Sequence, residues 1–236
     1  MSIEKDFSKS LERQKNQERE RATQLLSLLE VGVSETSDVI GYHGTSTEAL
    51  EILLKTGTLP GQTRGNEYHD LGDLFVMPVS KNIPSPWFHE NHSKDQPSEP
   101  EESEGYAGDI ALRHFVLHQL NIPLSDKISH DIVMELEEER ERPISISAAA
   151  KKFVKRVGEE KIEALFEKGL ERKGVLLSIK KTALDKHGLG FGDSAGYDAK
   201  LQTGASGLTL EDIGGIRTLG KDGEDFIKRL QKIART

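Results

Sequence analysis

The apolar residues of this chain come in short bursts, and that pattern limits the folds open to it. Runs able to form strands are brief and far apart: residues 38–42, 74–79 and 174–179, the last (GVLLSI) being the strongest. A further short strand is expected inside 199–202, and a strand or turn-strand at 210–216. Helix-period patterns fill the long intervals between them. A regular alternating wind needs strands and helices in even succession. Here the spacing is irregular, so the expected class is α+β with a small sheet. No run approaches the ~18 consecutive apolar residues that a membrane-spanning helix requires.

Residues 2–30 read as one helix. Ile3, Phe7 and Leu11 are spaced by four, and Ala22, Leu25, Leu26 and Leu29 resume the stripe, while 12–21 holds no apolar residue. Its six acidic and six basic residues cancel. The pattern fits an N-terminal helical arm, residues 1–35, solvated along its middle and docked at its two ends. A partner-binding helix is the alternative. Residues 36–236 are expected as one domain.

After the first strand, Thr45 and Glu48 fit a T-x-x-E capping box. Leu50, Leu53 and Leu54 form the apolar face of the helix that follows, and Gly57 ends it. Further helices are expected at 106–120, at two or three places within an inserted stretch 126–171, and at 222–234. Residues 81–105 differ in composition. The run HENHSKDQPSEPEESEG has six acidic residues, one lysine and two prolines, which suits a mobile acidic surface insertion.

Several chemistries are excluded early. The chain has no cysteine, so disulfides, thiolate zinc sites, iron–sulfur clusters and a Cys nucleophile are ruled out. A net charge of −8 argues against a general nucleic-acid binder, which needs a basic face. The charged N-terminus lacks the apolar core of a signal peptide. A cytoplasmic protein without membrane association is the expectation, with secretion as an effector left open. His114 and His118 stand at i, i+4, but Phe115 follows the first histidine where a zincin has glutamate. His89 and His92 are three apart. No metal is expected. Ser80 lacks a G-x-S-x-G elbow.

The segment Gly41-Tyr42-His43-Gly44-Thr45-Ser46 carries the most chemistry. A histidine at a strand end can bond a ribose hydroxyl, and the glycine beside it lets a ligand approach the backbone. Followed by Glu-Ala-Leu-Glu-Ile-Leu-Leu-Lys-Thr-Gly-Thr-Leu-Pro, it resembles the first strand and helix of ADP-ribosyltransferases of the His-Tyr-Glu class, the diphtheria-toxin and poly(ADP-ribose) polymerase type. The stretch 71–78 (LGDLFVMP) is similar to that family's next strand, 174–179 to a later strand, and 208–213 (LTLEDI) to the turn that closes the domain. The resemblance covers roughly 38–80, 106–120 and 174–218.

That resemblance implies a split-sheet core and NAD as substrate, with ADP-ribose passed to an acceptor and nicotinamide released. It matches His43 to the adenosine-ribose contact and Gly44 to the carboxamide grip. Thr45, Phe75 and Ser80 fall within the same implied binding region. Tyr106 matches the tyrosine that stacks on nicotinamide. Phe191, Asp193 and Tyr197 lie on the implied acceptor loop, and Arg64 is a candidate for the pyrophosphate. A toxin- or effector-like role belongs to the same expectation, with a protein acceptor favoured over nucleic acid. The catalytic glutamate position falls at Leu201–Gln202, so Gln202 occupies it. Glutamine keeps a hydrogen bond and loses the charge. Asp198 and Glu211 are the nearest substitutes. Two alternatives follow: a catalytically degenerate NAD- or ADP-ribose-binding domain, and an RNA 2′-phosphotransferase-like enzyme, which shares the H-G-T-S start but needs arginines for phosphate.

Overall fold

The computed structural model describes residues 2–33, 36–59, 74–78, 100–122, 152, 155–191, 199–201, 203 and 206–236. In chain order the elements are α1 (Ser2–Val31), β1 (Val39–Thr45), α2 (Thr47–Thr56), β2 (Leu74–Pro78), α3 (Pro100–Gln119), α4 (Glu159–Gly169), β3 (Val175–Lys180), α5 (Lys181–His187), β4 (Leu189–Phe191), β5 (Ala199–Leu201), a 3-10 turn (Leu210–Asp212), β6 (Ile213–Thr218) and α6 (Lys221–Arg235). The strands pair antiparallel throughout, in the order β4-β5-β2-β1-β3-β6. The class is α+β.

β3 is central because it can be. Val175, Leu176, Leu177, Ser178 and Ile179 are all buried, and a strand covered on both faces carries an unbroken apolar run. It pairs with β1 on one side and β6 on the other. Ile40, Val175, Leu177 and Ile179 share a core with Leu50, Leu53 and Leu54 of α2, Leu25 of α1 and Phe226 and Leu230 of α6. Val39, Tyr42 and Leu176 form a second cluster. The pleat sends Ile40 to the opposite face from Val39, and a bulge between Val39 and Gly41 shifts the alternation so that Val39 and Tyr42, three residues apart, share one cluster.

α1 docks at one end only, against the expectation of two. Ala22 and Leu25 are buried, while Phe7 and Leu11 are 71% and 45% exposed. The docked end packs on β6 and α6. Its close approach depends on Gly215, where an added Cβ would stand 1.7 Å from the Gly32 carbonyl oxygen. Arg21 also donates to the Leu54 and Lys55 carbonyls at 3.0 and 2.8 Å, closing the C-terminal end of α2.

Other expectations shift. β1 runs to Thr45, so the residue that leaves the strand and caps α2 is Ser46: its Oγ accepts the Ala49 N–H at 3.1 Å. Glu48 is therefore no capping-box partner; it accepts from Thr47 Oγ1 at 3.2 Å. The helix expected from 106 starts at Pro100 and takes in 100–105. Proline suits the first helical position. α5 and β4 occupy the stretch 181–191, where the sequence reading places no helix or strand. The rest of the acidic stretch, 81–99, and the helices expected within 126–150 lie outside the described residues.

Candidate functional site

The sheet opens at the end of β1. Between β1 and β2 the ladder pairs Gly41 with Pro78 and Tyr42 with Met77. Upstream of Met77, β2 pairs with β5 instead, at Leu74–Leu201, Phe75–Lys200 and Val76–Ala199. On its other side β1 stays paired through Thr45, with His43 opposite Leu177, Gly44 opposite Leu176 and Thr45 opposite Val175. The β1–β2 ladder thus ends at Tyr42–Met77, while His43, Gly44 and Thr45 continue along β3. His43 is half-buried, and Gly44 and Thr45 are buried.

α3 closes the other wall. It lies against β1 and β3, with Ala107 and Ala111 buried. Gly174, at the start of β3, has φ +76°, and a Cβ there would meet the Ala107 carbonyl oxygen at 2.4 Å and the Thr45 carbonyl oxygen at 2.6 Å. Only glycine satisfies both the left-handed backbone and this crowding. Three segments distant in sequence therefore converge here: the end of β1, the second turn of α3, and the connection into β3.

A polar network ties them. Ser46 Oγ lies 2.7 Å from His114 Nδ1 on α3. Burial, first, and the nearby charges of His43 and Arg113 push the His114 pKa down to about 4. On the far side of α2's first turn, Arg172 donates to Glu48 at 3.2 Å, stands 3.7 Å from Asp222 of α6, and stacks 4.5 Å above the Phe115 ring. Arg217 of β6 pairs with Glu104 of α3.

A second cluster fixes the turn before β6. Asp212 Oδ2 accepts from Thr209 N and Oγ1, both at 2.8 Å, and from Lys186 Nζ at 3.1 Å. His187 Nε2 stands 3.6 Å away. Burial pulls the Asp212 carboxyl pKa upward, but the Thr209 and Lys186 hydrogen bonds outweigh it and hold the pKa below the usual range.

Of the residues singled out in the sequence, His43, Gly44 and Thr45 sit side by side at the opening. Tyr106 lies on α3 just before Ala107, at the point of convergence. Phe75 lies on β2 opposite Lys200, and Phe191 ends β4 opposite Ala199. Arg64, Ser80, Asp193, Tyr197, Asp198 and Gln202 lie outside the described residues, as do His89 and His92. The i, i+4 pair divides: His114 is turned to Ser46, and His118 is exposed. Among the described residues no group of three or more His, Asp or Glu is arranged to hold a metal, and no helix is long and apolar enough to cross a membrane. Sequence reasoning passed over Ser46 and Arg172, whose roles depend on partners that are far away along the chain. Ser46 had a local signal, since a serine three residues before Ala49 at a strand end is a cap in waiting.

Comparison with known proteins returns no match to this chain among family models, curated proteins or solved structures.

Proposed function

We propose that the opening at the end of β1 binds NAD and that the protein is an ADP-ribosyltransferase-like enzyme, passing ADP-ribose to an acceptor, a protein rather than nucleic acid, with release of nicotinamide. One observation carries the reading. The β1–β2 ladder stops at Tyr42–Met77 while β2 continues on β5, so the stretch from His43 to Thr45 stands where the two strands part. Backbone groups at such an edge are able to pair with a planar amide. The element order lends further support: a strand carrying His-Gly, a helix, a second strand, a helix carrying Tyr106, and later the strand and turn into β6.

In this reading His43 bonds the adenosine ribose and Gly44 the carboxamide. The Tyr106 ring stacks on nicotinamide, Arg64 meets the pyrophosphate, and the stretch with Phe191, Asp193 and Tyr197 meets the acceptor. Gln202 follows β5 directly and would bond the ribose 2′-hydroxyl. That residue also favours a second reading, a domain that binds NAD or ADP-ribose without turning it over. A neutral amide does not stabilise the positive charge that develops as nicotinamide leaves, and losing one such group costs about 3 kcal/mol, a hundredfold or more in rate. An RNA 2′-phosphotransferase finds less support: Arg172 and Arg217, both near the opening, are already paired with carboxylates.

The test is calorimetric titration with NAD together with an assay of nicotinamide release, on wild type, His43→Ala and Gln202→Glu. Binding by the wild type, lost in His43→Ala, with turnover raised in Gln202→Glu, is expected. Wild type that binds no NAD refutes the reading. Binding with no turnover in either wild type or Gln202→Glu leaves the binding-only domain.

A further inference from the structure

His114 has no part in the reading above, yet it touches the residue that follows His43, Gly44 and Thr45. The Ser46 hydroxyl has one proton. Its oxygen already accepts the Ala49 N–H at 3.1 Å and lies 2.7 Å from His114 Nδ1. The oxygen has a second lone pair and could also take an Nδ1–H, but that would leave the hydroxyl proton of a buried serine needing another acceptor. A neutral ring with its proton on Nε2 lets the hydroxyl donate to Nδ1. An imidazolium would make Nδ1 a second donor aimed at Oγ and leave the hydroxyl proton without an acceptor on a fully buried serine.

We propose that His114 is a positioning residue of the NAD cleft: by accepting the Ser46 proton from the opposite wall, it fixes the turn after His43-Gly44-Thr45 and so the geometry with which that stretch holds the nicotinamide–ribose end. The proposal rests on the NAD reading. The link joins α3 to the cap of α2. Among the described residues, charged groups approach it from three elements. β1 contributes His43 and α3 itself contributes Arg113. α2 contributes Glu48, which Arg172 from the α4–β3 connection holds. α3 also packs on β3, whose Val175, Leu176 and Leu177 are buried. Burial, His43 and Arg113 all oppose a second proton on His114, which keeps the ring neutral through the neutral range.

Three measurements on the full chain test this. Long-range proton–nitrogen NMR of the wild type should show His114 protonated on Nε2 and bare on Nδ1. NAD titrations of wild type, His114→Asn and His114→Leu should then be run from about pH 7 to about pH 4. The Asn side chain places an oxygen near the Nδ1 position and does not titrate. It should match the wild type near neutrality and hold its affinity where the wild type weakens on acidification. His43 is present in both proteins, so the difference between them belongs to His114. His114→Leu should bind about tenfold more weakly, the equivalent of one lost hydrogen bond, with its circular dichroism unchanged. If Leu does not fold, the comparison of Asn with wild type decides. A ring protonated on Nδ1 overturns the proposal, as do affinities and pH profiles that coincide across the folded variants. Wild type that shows the Nε2 tautomer but binds no NAD refutes the NAD reading, and His114's role in it, while the Ser46–His114 link stands.

Discussion

Arg172→Ala should be among the most damaging single substitutions outside the apolar core. The Arg172 side chain is 25% exposed, and its carboxylate neighbours Glu48 and Asp222 are 11% and 4% exposed. The two acids differ in what else they have. Glu48 also accepts from Thr47 Oγ1. Among the described residues no hydrogen-bond donor reaches either buried Asp222 oxygen, so the guanidinium at 3.7 Å is its main compensation there. Removing one partner of a buried pair leaves an uncompensated charge and costs about 3–5 kcal/mol. The cation–π stack on Phe115 adds ~0.5–1 kcal/mol to the loss. The start of α6, where Asp222 sits, returns a similar ~0.3–1 kcal/mol by its dipole. The last two nearly cancel, and with the Arg172 side chain partly exposed the net expectation is the low end of the pair's range, a loss of about 3 kcal/mol. Urea denaturation should show a lower midpoint at unchanged slope, the mark of a stability change without a change in exposed surface. Asp222→Asn placed in the Arg172→Ala background should recover most of the loss, because it removes the stranded charge. A loss below about 1 kcal/mol, or no recovery in the double variant, would refute the claim that Asp222 depends on Arg172.

Two further outcomes follow from the geometry. His114 has a folded pKa near 4 against an ordinary 6.5, so on acidification the unfolded chain takes up the proton first; stability is complete above about pH 6.5 and falls by about 3 kcal/mol as the pH drops to about 4. Asp212, held low, adds a loss of the same sign at more acid pH, and His114→Asn should remove the first part of the decline in a urea-midpoint series against pH. Deleting residues 2–17, which removes the exposed Phe7 and Leu11, should change stability by less than about 0.5 kcal/mol, whereas extending the deletion through Leu25 removes Ala22 and Leu25 from the core and should cost more than about 3 kcal/mol by thermal melting.

What could be read in the sequence was what is local. The GVLLSI run announces a strand because burial on both faces demands unbroken apolar residues. The spacing of Leu50, Leu53 and Leu54 announces a helix face, and Gly57 its end. The cap of α2 was misplaced by one residue because Thr45 and Ser46 both offer a hydroxyl. Only the pairing of Thr45 with Val175, 130 positions away, decides between them. β4 was missed because it is three residues long and rich in glycine, and it exists as the partner of β5. His114 looked like half of an i, i+4 metal pair. Its actual partner is a serine 68 positions earlier in the chain, which no periodicity reveals.

The walls of the opening owe their spacing less to the His-Gly segment than to the connection between α4 and β3. Gly174 receives the Ala107 carbonyl, and Arg172, two residues earlier, covers the Phe115 ring. Ala107 and Phe115 are eight residues apart on α3, about 12 Å along a helix. Two residues of extended chain span only about 7 Å, and the length of the arginine side chain supplies the rest. One short connection thus holds α3 at two points against β1. Its glycine sets how close the helix comes, and its arginine sets the helix's rotation and pairs with the first turn of α2 through Glu48. A change at either residue acts on His43 and Ser46 without touching them, which is why the residues that shape this opening are not the residues that line it.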